Sequence, residues 1–579
     1  MTNNHVIFSG DSAGNVYGGR TKFNPDPSNT VEVTGNTVEI SRGTVNYVVG
    51  GSSADNPGAI ATVADNVVTI KGGTINGMVG GGETTAGTAT DNAVTLEGGT
   101  INGIVVGGMA NTGTATDNTV TFKGGTINNG MVIGGIAITG NTIRNTVIID
   151  GPVTFSAVDH LLGGYCIDDF DECGTDTFTG NTLSKKSDTT GTPQLTVNFQ
   201  FINFDYNGDA NLGELDTTPY GSSESDVTID VNEARTINFD GKITGQGGIT
   251  KKGAGTLMLR SGTNNDYEGG TTIEKGLINF DDIGAFGDTS VNKITLDGGG
   301  LQWAEVYTGG DISDRLEIGE KGSTFHTNDN DVIFDKPITG VPGDGGITKD
   351  GLGTLTFNQA SDYTGMTIVK AGTLALAGSG TISSLLTLHA GAEFADGGDS
   401  PSQLTRLDVH GGAKTATYTG DLIVNNISAG SLNFYLPDDI SESSPPLLTV
   451  DGAVILTGNT IGLYLYDDSS GLASLASLGP EETITITLID GQAGTDFGSI
   501  PKISTITNAA RTHTYESELK IDEGKHDLLI SIGGKSGTAP TPEPPMKALA
   551  ESGLAVTVLL NQGADFLIDR GIAAALGTA

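Results

Sequence analysis

The feature that most limits what this chain can fold into is a restatement. DNVVTIKGGTINGMVGGGETTAGTAT begins at Asp65, DNAVTLEGGTINGIVVGGMANTGTAT at Asp91 and DNTVTFKGGTINNGMVIGGIAITGNT at Asp117, a fixed step of 26 residues. A period between about 20 and 50 residues marks stacked units, each able to bury its apolar side only against a neighbour. In the first unit Val67, Thr69 and Lys71 alternate with Val68, Ile70 and Gly72, the period of two that a strand imposes. A second short strand is expected over 74–78, followed by a glycine cluster and a Thr/Ala/Asn return. No unit carries apolar residues at i, i+3, i+4 and i+7, so helical repeats are excluded. Each unit reads as one coil of a β-solenoid with glycine at its corners.

Composition agrees. A chain of 579 residues exceeds one compact core but suits an elongated stack, and its 89 glycines fit many tight turns. Hydrophobic residues make up 36%, enough for a core only a few side chains wide. Lys and Arg number 29 against 69 Asp and Glu, a net charge of −40. That excludes nucleic acid as a partner, because nothing could neutralise a phosphate backbone, and it opposes docking on anionic lipid. The acidity reads as a solvated surface, with divalent-cation binding as the alternative.

Two cysteines, Cys166 and Cys173, stand in CIDDFDEC. They read as a small disulfide loop, with a pair of thiols as the alternative. No histidine lies at ligand spacing to make zinc of them. The start, MTNNHVIFSG, lacks the basic head and apolar stretch of a signal peptide. No run reaches the ~18 apolar residues of a spanning helix. An exported form is therefore expected to be a mature or trimmed segment.

A different repeat begins at 247. GGITKKGAGTLMLRSGTNNDYEGGTTIEKGLINF (247–280) returns as GGITKDGLGTLTFNQASDYTGMTIVKAGTLAL (345–376), and YTGDLIVNNISAGSLNF (418–434) reads as a worn third copy. The pattern G-G-I-T-K-x-G-x-G-T-L, then Y-x-G-x-T-x-x-x-x-G-x-L, resembles the autotransporter-associated β-strand repeat of Gram-negative type V secretion passengers. Gly253, Gly255, Thr256, Leu257, Tyr267, Gly269, Thr271, Gly276 and Leu277 carry it in the first copy. Gly351, Gly353, Thr354, Leu355, Tyr363, Gly365, Thr367, Gly372 and Leu374 carry it in the second. Alternation places Leu257 with Leu259, and Leu355 with Phe357, on the core face.

The expected fold is all-β: a right-handed parallel β-helix of roughly 20 rungs, on the order of 100 Å long at the ~4.8 Å strand spacing. A short C-terminal α-helical segment follows it. The organisation reads as an N-terminal β-helix of 26-residue repeats (1–149), irregular rungs or an insertion holding the cysteines and an acidic loop (150–245), a C-terminal β-helix (246–538), a proline-rich hinge (539–546) and a helical linker (547–579). LNQGADFLIDRGIAAAL (560–576) looks like the segment that precedes an autotransporter barrel; an amphipathic helix packed on the solenoid's end is the alternative. No series of alternating ten-residue strands follows, so the translocator barrel is expected to be missing from this chain. The resemblance implies export through the passenger's own outer-membrane barrel and display at the surface of a Gram-negative cell.

Three stretches tempt a chemical reading. GDSAG (10–14) matches a nucleophile-elbow pattern, but no helix-forming pattern follows Ser12 and no histidine stands in an Asp-x-x-His block. Asp168, Asp169, Asp171 and Glu172 could serve a polysaccharide-cleaving site, which aromatic scarcity opposes. DYNGDANLGELD (205–216) places Asp205, Asn207, Asp209, Asn211 and Asp216 at positions 1, 3, 5, 7 and 12 of a calcium-loop pattern. Ala210 stands where glycine is wanted and Asp216 where glutamate is, so an acidic hydrated loop remains the alternative. The function expected is a non-catalytic adhesin or self-association module, with no cofactor other than a possible Ca²⁺. Its partners would be a host-cell or matrix ligand, or neighbouring passengers. A β-helix enzyme acting on polysaccharide or ester substrates is the alternative.

Overall fold

The computed structural model describes residues 1–21, 30–53, 60–156, 159–165, 178–218, 226–287, 292–307, 309–425, 431–437, 440–457, 460–465, 482–498, 505–507 and 514–535. The hinge expected at 539–546 and the helix expected beyond it lie outside these residues. The chain divides into two compact units, 1–294 and 295–579.

The first unit is a parallel β-helix. Val67–Ile70, Ala93–Leu96 and Thr119–Phe122 pair in parallel with no stagger, Val68 on Val94 on Val120 and Ile70 on Leu96 on Phe122. All six side chains are fully buried. The 26-residue step is one rung. The same row continues through Thr146–Ile149, Thr182–Lys185, Phe201–Phe204, Val227–Val231 and Ile249–Lys252, so stacking persists where the repeat has faded.

The second half of each rung differs from the sequence expectation. The second strand is only Thr74–Ile75. The glycine cluster and polar return then form one long strand, Val79–Thr90, Ile104–Thr116 and Met131–Ile143 in successive rungs. The glycines are not turns. They clear space for a column of asparagines from the facing corner. Asn36, Asn66, Asn92, Asn118, Asn145 and Asn181 are at most 1% exposed. Each of the first five donates Nδ2–H to the Oδ1 of the next at 2.8 to 3.2 Å. The residue before each, Gly35, Asp65, Asp91, Asp117, Arg144 and Gly180, has a left-handed φ between 54° and 76°. That corner geometry swings the amide inward. A buried amide must be fully satisfied, and a same-residue ladder satisfies donor and acceptor together.

Adjacent residues on the long strands are buried on opposite faces. Val105, Val132 and Leu161 form one column and Val106, Ile133 and Leu162 the other, all at most 6% exposed. The second column joins Ile136 and Val197 in a separate apolar cluster, with Met78, Ile104, Met109, Met131 and Tyr165 packed against it.

In the second unit Ser323–His326, Ile347–Asp350, Thr367–Val369, Leu385–Leu388, Arg406–His410, Ser431–Leu436 and Thr460–Leu465 form one parallel ladder. Val332–Phe334, Thr354–Phe357, Thr373–Gly378, Glu393–Gly398, Ala416–Thr419 and Leu448–Val450 form another. Few aromatics suffice because they meet: Phe325–Phe334, Phe334–Phe357 and Phe394–Tyr418 have ring centroids 5.3 to 5.7 Å apart. From Thr483 the pattern changes, as Thr483–Asp490, Asp527–Lys535 and Thr514–Asp522 pair antiparallel.

Candidate functional site

The residues singled out in the two matched repeats are built into the rungs. Leu257 and Leu355 are fully buried, with Leu259 and Phe357 beside them on the same face. The Tyr267 hydroxyl meets Thr271 Oγ1 at 2.7 Å, and Tyr363 meets Thr367 Oγ1 at the same distance. A Cβ on Gly269 or Gly365 would run into the backbone nitrogen of Gly248 or Gly346, and one on Gly255 or Gly353 into the carbonyl oxygen of Asn232 or Asn330.

The lysine of each GGITK stretch has a part that alternation alone does not reveal. Lys251 and Lys349 point into the core at positions paired with Ile229 and Ile273, and with Phe325 and Val369. Lys251 Nζ donates to the carbonyls of Lys252, Gly253 and Lys275 at 2.5, 2.8 and 3.2 Å. Lys349 Nζ donates to those of Asp350, Gly351 and Ala371 at 3.1, 2.7 and 3.0 Å. Each ammonium therefore ties its own corner to the next rung. Burial pushes both pKa values down to about 8.

The acidic loop is laid along a rung edge. Asn207 Oδ1 accepts from Thr236 N and Asp209 Oδ1 from Asn238 Nδ2, both at 2.8 Å. Asn211 N donates to Asp240 Oδ1 at 2.9 Å, so three alternate residues each bond 29 residues ahead. Asp205 lies 3.3 Å from Arg235, and hydrogen bonds from Asn232 and Arg235 hold its carboxyl below the usual range. Asp216 Oδ1 accepts from Thr218 N at 2.8 Å. Among the described residues no three His, Cys, Asp or Glu side chains gather as a metal cluster. Ser12 is exposed at the head of Ser12–Arg20, in register with Thr44. Cys166, Cys173, Asp168, Asp169, Asp171 and Glu172 lie outside the described residues.

Sequence reasoning missed a stack of four rings on the second unit. His389 and His410 lie with centroids 4.4 Å apart and planes 16° from parallel. His410 and Tyr435 follow at 4.3 Å and 13°, and Tyr435 and Tyr464 at 4.9 Å and 20°. The ladder register sets this, pairing His410 with Tyr435 and Tyr435 with Tyr464. Burial holds the His389 pKa below its ordinary value, and burial with the neighbouring His389 pushes His410 down to about 3. Burial, then Asp408, raises Tyr435 to about 12.

Beside the rings runs a polar row of Asp408, Asn433 and Gly462. Arg406 Nη2 bonds Asp408 Oδ2 at 2.7 Å and its guanidinium also reaches the Tyr435 hydroxyl. Asn433 Nδ2 donates to Asp408 Oδ1 at 2.7 Å. Gly462 carries nothing that would displace its neighbours: a Cβ there would collide with Asn433 Oδ1 and stand 2.8 Å from Tyr464 Cε2. Tyr464 therefore folds along its strand and remains 47% exposed. The arrangement offers an open ring face flanked by held hydrogen-bonding groups.

Comparisons with known proteins point the same way as the repeats. The passenger-associated transport repeat matches residues 249–278 and 347–376. Over 265 residues, 42% of this chain, the sequence is 28% identical to the Adhesin BmaC autotransporter of Brucella suis biovar 1 (strain 1330). The chain spans 7% of that protein's length. No solved structure matches it.

Proposed function

We propose that this chain, an autotransporter passenger by its transport repeats and stacked parallel rungs, acts as an adhesive segment displayed at the surface of a Gram-negative cell. The observation that carries this reading is the likeness to an adhesin over 265 residues. The physics of the fold is compatible with it. A solenoid presents long, regular outer faces whose side chains are fixed by neighbouring rungs, so binding groups are held in place before a partner arrives. No step of bond making or breaking is required. The ligands would lie on host cells, in matrix, or on neighbouring passengers.

Beads coated with the full chain test the proposal. They should adhere saturably to host cells, to matrix proteins or to each other, above beads coated with an inert protein. Absence of adhesion in all three assays would refute it. Turnover of a polysaccharide or ester without adhesion would favour the enzyme reading instead.

A further inference from the structure

We propose that the open face of Tyr464 is the stacking site for an uncharged pyranose ring of a glycan, a partner class that rests on the adhesive reading and narrows it. The ring is the last of four that lie nearly parallel, and the only one of them among the large exposed hydrophobic side chains, at 47%. Stacked rings hide one another's faces; of the two ends of the stack, His389 is half-buried, and Tyr464 offers the broader face. The C–H face of a pyranose is apolar and matches an aromatic face, while its hydroxyls need donors and acceptors at the ring's edge.

Those groups are present. Asn433 is 7% exposed and directs its Oδ1 toward Gly462, and its Nδ2 is held by Asp408, itself 4% exposed. Asp408 is held in turn by Arg406. Gly462 is a positioning residue, since any side chain there would push the Tyr464 ring off its strand. The charge selects among glycans. Arg406 is committed to Asp408, and a chain of net charge −40 repels sialylated or sulfated sugars, which leaves neutral ones.

The full chain should be screened on an array of neutral and anionic glycans, and the neutral hits measured by titration calorimetry. Tyr464→Ala should weaken binding by about tenfold or more, while Tyr464→Phe keeps it. Thermal unfolding of both variants should match the parent, which separates a lost contact from a lost fold. Binding unchanged by Tyr464→Ala, binding confined to anionic glycans, or no glycan binding would each overturn the proposal. Adhesion of coated beads to enzymatically deglycosylated cells would leave the adhesive reading standing while removing the glycan. Capture of an aromatic peptide by Tyr464 in place of sugars would also refute it.

Discussion

The amide of Asn92 rests on the bare Cα of Gly82: a Cβ on that glycine would stand 2.6 Å from Asn92 Cγ. The relationship recurs at Gly19 with Asn36, Gly51 with Asn66, Gly108 with Asn118 and Gly135 with Asn145, at 2.5 to 2.7 Å for the first three and 2.8 Å for the last. The Gly-Gly of every unit and the asparagine beginning the next are therefore two halves of one corner. Gly82→Ala should force the ladder apart. Asn92→Ala should remove the acceptor of the Asn66 backbone N–H and the side-chain donor to the Val63 carbonyl and Asn118 Oδ1, at a cost of about 1–3 kcal/mol. Denaturant unfolding checks both; a loss below about 0.5 kcal/mol, the ordinary surface value, would mean the column is not structural.

Lys349→Met should also destabilise, despite being apolar and similar in length. Three corner carbonyls lose their donor, and leaving buried acceptors unmet costs about 1–3 kcal/mol. The pH dependence has a definite sign. Lys251 and Lys349 have folded pKa values near 8, below that of a free lysine, so between there and about 10 the unfolded chain binds more protons and stability rises with pH. The Lys251→Met, Lys349→Met double variant should flatten that rise in thermal scans from pH 7.5 to 9.5.

Acid should loosen the ring stack. His410 and His389 have depressed folded pKa values, so their stabilising contribution is full above about pH 6.5 and falls away as pH drops toward 3. Lys370 and Asp350 act on His389, and His389 and Tyr435 flank His410. His410→Tyr should keep the stack and remove part of the acid sensitivity between pH 7 and 5. A variant as acid-sensitive as the parent over that window would show that the ring stack does not carry the loss, since carboxylates such as Asp117 and Asp297, held low by Arg144 and Lys321, lose their contribution only below about pH 5.

Truncating the repeat cores tests whether each rung is secured by its neighbours. Leu355→Ala removes a fully buried side chain paired with Val332 on one rung and Leu374 on the next, and should cost about 2–5 kcal/mol. Limited proteolysis of this variant should open the second unit while sparing residues 60–150. Ile101→Ala should do the reverse. Equal loss of both regions in either variant would show that the two units unfold together.

The sequence by itself determined the rung, its core face and the family likeness. Alternation put Leu257 with Leu259 and Leu355 with Phe357 inward because a strand offers only two faces, and the 26-residue step put copies of one residue above each other. Tertiary structure decided what those columns do. Local alternation sets Lys251 and Lys349 on the face of Ile249 and Ile347 but not how a charge is met there; only the next rung's carbonyl supplies the third acceptor that makes an inward ammonium tolerable. Alternation also gives the glycine cluster no role beyond a corner of the coil, because the asparagine filling the space arrives from another part of the chain. The ring stack was hidden for a different reason. His389, His410, Tyr435 and Tyr464 follow steps of 21, 25 and 29 residues, so no fixed period joins them. Loops of unequal length leave the register unchanged, because the ladder's hydrogen bonds, not chain distance, fix which side chains meet.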